Sequence, residues 1–322
     1  MGWRTIQKAF RSMSTSEVVN KPTIEILKNL LNDQAKFQLY AHHRFAQVNN
    51  LEEERYQLPD YQHTEAQKNN KLNRYSDIVP YDNNCIKLTD KRLGPTQDDY
   101  INASWIVAPH DIPRVYIATQ GPMPHTIVDF WRLVVEQQVP VIVCLTAQMD
   151  GKVEKCARYW PVGDQALEWT HHDVTIKVMN VAEESENEGA ACIQRTIQVS
   201  FYHQDQLVEE TKVTQLQFLG WPDHGVPKET DKVIGLIQLT RQLQETNKPV
   251  LVHCSAGCGR TGTFCVIDSA EVLVRNNPQF RMDPVFYLTD EFRKQRTTMV
   301  QAEAQYGFCY RALLDFLDLE SK

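Results

Sequence analysis

Two cysteines, three glycines and an arginine crowd one short run, Val252-His253-Cys254-Ser255-Ala256-Gly257-Cys258-Gly259-Arg260-Thr261-Gly262. Glycines let successive backbone N–H groups converge without a Cβ clash, and a guanidinium presents a planar fork matched to two phosphate oxygens. The chemistry this suits is attack of a Cys254 thiolate on the phosphorus of a bound phosphate ester. The field that holds the anion also lowers a thiol pKa from its usual ~8.5, so the same loop ionises its own nucleophile. A buried structural cysteine in a Gly-rich turn is the alternative. The C-x-x-x-x-x-R spacing, with glycine at two of the five intervening positions, favours the nucleophile.

Such a loop needs rigid elements on both sides. Val250, Leu251 and Val252 follow Pro249 as a buried strand would, and from Thr261 onward Phe264, Ile267 and Val274 carry helical spacing. Strand, tight turn and helix together put an anion site at a helix N-terminus.

His253 to Gly262 resembles the signature loop of the phosphotyrosine-specific, non-receptor-type, cysteine-dependent protein tyrosine phosphatases. Other segments resemble that family in order. Asn73-Arg74-Tyr75-Ser76-Asp77 looks like its phosphotyrosine-recognition loop, which implies that Tyr75 walls a deep cleft and Asp77 holds the substrate backbone. Trp221-Pro222-Asp223, between glycines and prolines that allow a hinged loop, resembles the general-acid loop, with Asp223 as the acid. Gln301 matches the glutamine that places the hydrolytic water, assisted by Gln305, and Thr261 would help the departing thiolate. Ser255, Ala256, Gly257, Cys258 and Gly259 would cradle the phosphate with Arg260. Lys155 matches a lysine that approaches the acid loop, and Asp150 stands where the family usually has a glutamate.

The resemblance implies an α/β (α+β) fold in one domain over 21–322: a strongly twisted mixed sheet with helices on both faces. The implied reaction is phosphotyrosine hydrolysis through a cysteinyl-phosphate, with no metal or organic cofactor. Alternatives are a dual-specificity or lipid phosphatase and a phosphotyrosine-binding pseudo-phosphatase. Phosphotyrosine proteins are the expected partners of a monomer.

The remaining elements read as scaffold. Ile24, Leu27, Leu30 and Leu31, then Phe37 to Leu51, are spaced as two helices. Strands ending in polar turns are expected within 98–105 and 116–122, further strands at 139–145 and 214–218, and an amphipathic helix after Pro124 with Ile127, Phe130, Trp131 and Val134 on one face. The acidic run 183–188 reads as a solvated loop, and a helix is expected from Val285 to Arg296. Asn and Gln side chains near 102 and 120 should tie loops together behind the site.

With 42% hydrophobic residues, 322 positions can bury a large core, and a net charge of −7 supplies no global field for nucleic acid. The eight cysteines form no C-x-x-C pair, which points to a reducing compartment. No apolar run approaches the ~20 residues of a membrane span. Arg4, Lys8 and Arg11 among Trp3, Ile6 and Phe10 make residues 1–20 either a basic arm or a mitochondrial targeting segment, so the expected location is cytoplasmic with a mitochondrial alternative. Cys258 reads either as packing beneath the loop or as a partner thiol in redox control.

Overall fold

The computed structural model describes residues 23–94, 99–109, 112–182, 184–222 and 225–319. The arm at 1–20, Asp98, Glu183, Asp223 and His224 lie outside the described residues. The strands are β1 (Cys85–Lys87), β2 (Tyr100–Val107), β3 (Val115–Thr119), β4 (Val141–Cys144), β5 (Met149–Asp150), β6 (Val153–Glu154), β7 (Leu167–His171), β8 (Val174–Asn180), β9 (Ser185–Asn187), β10 (Cys192–His203), β11 (Gln206–Phe218) and β12 (Val250–His253). The helices are α1 (Thr23–Leu31), α2 (Gln34–Arg55), α3 (Thr64–Lys68), α4 (Ile127–Glu136), α5 (Asp231–Leu243), α6 (Gly259–Asn276), α7 (Pro284–Arg293) and α8 (Glu303–Leu319).

One mixed sheet runs β1-β2-β3-β12-β4-β11-β10-β8-β7, with β9 added beside β10. Its centre is parallel: β12 lies between β3 and β4, with Leu251 opposite Ile117 and Ile142, and β11 continues parallel to β4. The flanks are antiparallel. Side chains alternate across a strand, so β12 feeds two cores. Val250 and Val252 pack with Phe264 and Ile267 of α6 and Leu313 of α8, while Leu251 packs with Phe130 and Trp131 of α4. Burying each such aliphatic side chain stabilises by ~1.5–3 kcal/mol, which fixes the strand whose end carries Cys254.

In α2, Phe37, Ala41 and Val48 form a buried stripe, and the Asp33 carboxylate caps the helix by accepting from the Lys36 N–H. The stripe joins the α6–α8 core, so the N-terminal helices belong to the same packed body.

Three expectations are corrected. Helix α4 is buried on nearly every side, Asp129 and Arg132 included. Its outer side is covered because Trp160 and the β7–β8 hairpin, with Trp169 and Ile176, join the same core. The acidic run is mostly exposed, as a solvated segment would be, but it contains the short strand β9, which pairs with β10, and the half-buried Glu184 forms an ion pair with Arg195 at 3.0 Å. Helix α7 stops at Arg293, because Arg296 turns inward to bond the signature loop. Two smaller differences concern boundaries: α6 begins at Gly259, and the strand over 214–218 is the end of the longer β11.

Candidate active site

Cys254 directly follows β12 and is 5% exposed. The loop after it turns so sharply that Gly257 takes φ +74°, and a Cβ there would lie 2.1 Å from the Thr119 carbonyl oxygen. Only glycine fits. The Gly257 N–H then donates to Cys254 Sγ at 3.2 Å. From the other side the buried Arg296 guanidinium donates to the carbonyls of Gly257 at 2.8 Å and Ala256 at 3.1 Å, and to Asn102 Oδ1 at 2.7 Å. With these carbonyls drawn backward, the loop amides are left to face the sulfur.

Burial alone would raise the Cys254 pKa. The Thr261 hydroxyl, the Arg260 charge and the N–H groups of Thr261 and Gly257 outweigh it, so the thiol is held below its ordinary value. Thr261 Oγ1 is buried without a conventional partner, which leaves its proton for the sulfur. Other thiols go the opposite way. Burial pushes Cys144 up to about 12, and it drives the fully buried Cys258 far above the thiol range. Cys258 is fully buried, as a packing residue beneath the loop would be.

Arg260 donates to the carbonyls of Leu145 and Pro222, each at 3.1 Å, and so links the signature loop to the end of β4 and to the Trp-Pro turn. Trp221 is buried between Phe218 and Phe308, and its indole N–H donates to the Gly225 carbonyl at 3.3 Å. The two described ends of this loop therefore sit against the arginine and the core. Lys155 pairs with Asp150 at 3.4 Å across the β5–β6 hairpin.

Tyr75 is half-buried beside the loop. Ser255 Oγ donates to the Lys155 carbonyl at 2.9 Å, so the Tyr75 hydroxyl is the donor in its 3.0 Å contact with Ser255. The segment behind Tyr75 is tied down as expected. Gln120 accepts from the Arg74 N–H and donates to the Leu72 carbonyl, and Asn102 donates to Asn73 Oδ1 and the Ile78 carbonyl. Arg74 itself donates to the carbonyls of Gly121, Pro122 and Glu154. Asp77 is exposed at the rim.

Gln301 precedes α8 by two residues and is exposed. A Cβ on Gly259 would stand 3.2 Å from Gln301 Cβ and 2.9 Å from Gln305 Oε1, so both glutamines border the signature loop. Gln305 Oε1 accepts from the N–H groups of Gln301 and Ala302, each at 3.1 Å, and caps the start of α8. A cavity of about 800 Å³ adjoins this border without reaching Cys254, lined by Asp77, Thr298 and Gln301 with Tyr56, Tyr61 and His63.

Behind Cys254 runs a buried chain that the sequence did not reveal. His253 Nδ1–H donates to the Cys254 carbonyl at 3.1 Å, so Nε2 accepts from the Tyr159 hydroxyl at 2.7 Å. Gln215 donates to Tyr159, Arg195 to Gln215, and Arg195 pairs with Glu184. Burial pushes the His253 pKa down to about 4 and keeps the ring neutral. The signal in the sequence was weak: His253 precedes Cys254, but its partners lie far along the chain.

Among the described residues no cluster of three His, Cys, Asp or Glu side chains is placed to hold a metal, and no helix is long and apolar enough to cross a membrane.

Comparison with known proteins accords with this geometry. The sequence model of the protein-tyrosine phosphatase family matches residues 69–315. The human tyrosine-protein phosphatase non-receptor type 12 is 36% identical over 256 residues, 79% of this chain and 31% of the relative. The rat non-receptor type 20 enzyme is 37% identical over 252 residues, 78% of this chain and 55% of the relative. This chain thus spans well under two thirds of either protein. The solved catalytic domain of human non-receptor type 18 superimposes with a TM-score of 0.75 at 32% identity, covering 87% of this chain and 96% of that one. From the family match across most of its length and from these relatives, the chain belongs to the protein-tyrosine phosphatase family.

Proposed function

We propose that this chain hydrolyses phosphotyrosine in proteins through a cysteinyl-phosphate on Cys254. The observation that carries the proposal is the buried Cys254 thiol, lowered in pKa by Thr261, Arg260 and inward loop amides. Those groups would also hold the equatorial phosphate oxygens as charge develops there. Cys254 attacks phosphorus, and Asp223 protonates the leaving phenolate. A water placed by Gln301, with Gln305 in support, is then deprotonated by Asp223 and releases phosphate, while Thr261 stabilises the departing thiolate. Tyr75 would stack on the substrate ring, Asp77 would hold its backbone, and Lys155 would approach the acid loop. The depth set by the Tyr75 wall disfavours phosphoserine, whose shorter side chain stops above the sulfur. A solved complex of the type 18 enzyme with a HER2 phosphotyrosine peptide supports the same substrate class here. The non-receptor names of the relatives support a cytoplasmic setting.

The test is hydrolysis of matched phosphotyrosine and phosphoserine peptides by the wild type, Cys254→Ser and Asp223→Ala. The expected result is activity on phosphotyrosine, abolished by the first change and lowered ~10²- to 10⁴-fold by the second. Equal phosphoserine turnover would favour the dual-specificity alternative. A wild type that binds phosphotyrosine peptide without turnover would establish the pseudo-phosphatase.

A further inference from the structure

Residues 294–300 join α7 to Gln301, and within the turn 297–300 Thr298 at φ +58° and Val300 at φ +62° hold the left-handed backbone conformation. β-branched residues adopt it only where their surroundings enforce it. Glu52, in α2, supplies that enforcement. Its carboxylate is buried; Oε1 accepts from the Thr298 N–H at 2.7 Å and the Thr297 hydroxyl at 3.3 Å, and Oε2 accepts from Arg293 Nη1 at 2.8 Å. Arg293 passes the hold onward, donating to the carbonyls of Met299 at 2.9 Å and Val300 at 2.8 Å. Tyr56, one turn after Glu52, bonds the Thr297 hydroxyl at 2.6 Å.

The other side of the turn presses on the signature loop. The Val300 N–H donates to the Cys258 carbonyl at 3.2 Å, and a Cβ on Gly262 would lie 2.3 Å from Val300 N. Gln301 follows at once. The turn is therefore clamped between α2 and α6, and the clamp decides where Gln301 stands.

We propose that Glu52 is a positioning residue for the second half of the reaction, acting through the 297–300 turn on Gln301. The inference rests on the two-step phosphatase reading given above. In that step a water oxygen bonds to phosphorus, the S–P bond breaks with its electron pair returning to Cys254, and the water proton passes to Asp223. Inorganic phosphate leaves. The first half uses Cys254, Arg260, the loop amides and Asp223, whereas Glu52 bonds Thr297, Thr298 and Arg293. Glu52 lies outside the segment 69–315 that matches the family, so an element beyond that segment completes the water site.

Rapid-quench kinetics of the full chain with p-nitrophenyl phosphate test this. Glu52→Ala should release about one equivalent of p-nitrophenol in a burst at a rate within about twofold of wild type, then turn over about tenfold or more slowly. Because kcat/KM reports only through the first irreversible step, it should hold while kcat and KM fall together. Glu52→Gln keeps an acceptor toward Thr298 and should lose less; it is also the variant to read if Glu52→Ala fails to fold. In a Gln301→Ala background, Glu52→Ala should add little. A burst rate and kcat/KM that fall as far as kcat, or a Glu52 effect undiminished without Gln301, would overturn the proposal. A wild type that releases no p-nitrophenol fails the phosphatase reading itself, a different outcome.

Discussion

The Gly257 N–H points at Cys254 Sγ from 3.2 Å, and the carbonyl of the same glycine is held from behind by Arg296 at 2.8 Å. One residue thus turns its donor to the Cys254 sulfur and its acceptor to the scaffold. The arrangement favours the thiolate, so the rate of Cys254 alkylation by iodoacetate should titrate with an apparent pKa below that of free cysteine. Thr261→Ala removes the largest pKa-lowering contribution and should move the inflection upward. Cys254→Ser should show no fast phase, since the fully buried neighbouring thiols are driven the other way. A profile centred on an ordinary thiol would contradict the reading.

Gly257→Ala asks whether the loop conformation itself does the work. An alanine Cβ cannot coexist with the Thr119 carbonyl, and φ +74° strains any L side chain. The loop must open and its amides turn away. The expected loss in kcat/KM is ~10²- to 10³-fold, the size seen when oriented anion donors are removed. Vanadate affinity, measured by inhibition, checks the same point and should weaken in parallel.

Arg296→Lys separates charge from geometry. An ammonium cannot serve the Ala256 and Gly257 carbonyls and Asn102 as one planar fork does. Stability should fall by ~1–3 kcal/mol in urea denaturation, because buried acceptors lose partners. Activity should fall at least as sharply, since the loop amides lose their alignment.

His253 makes a pH prediction. Its folded pKa of about 4 lies below the unfolded value of 6.5, so the unfolded chain binds the proton more readily. Its contribution is fully present above pH 6.5 and is lost as pH falls from there through about 4. The full loss is ~3 kcal/mol at 1.36 kcal/mol per pH unit. Urea unfolding at pH 7 and pH 5 should show a drop in the wild type, and His253→Asn should lack the histidine part of that slope.

What the sequence made legible was mostly local. Cys254 to Arg260 lie within seven positions, and their types carry their chemistry; the strand before them and the helix after them follow from apolar spacing. What stayed hidden depends on distant partners. Arg296 reads as one more helical residue until Asn102 and the signature carbonyls claim its side chain. Glu52 reads as an exposed acid in Glu52-Glu53-Glu54 until Arg293 and Thr298 meet it across 241 and 246 positions. The short strand Ser185–Asn187 in the acidic run depends likewise on a distant partner, its pairing with β10 at 192–194. Buried charge is paid for by a partner, and pairing across the fold leaves no periodicity to read.

The measurement that bears most directly on the account is isolation of the intermediate. The full chain would be mixed with a phosphotyrosine peptide, quenched in acid within milliseconds, digested and analysed by mass spectrometry. The account predicts one phosphate on the peptide that contains Cys254, present in Gln301→Ala at a higher level than in wild type and absent from Cys254→Ser. Turnover of the peptide by Cys254→Ser at the wild-type rate, or phosphate found on another residue, would contradict it.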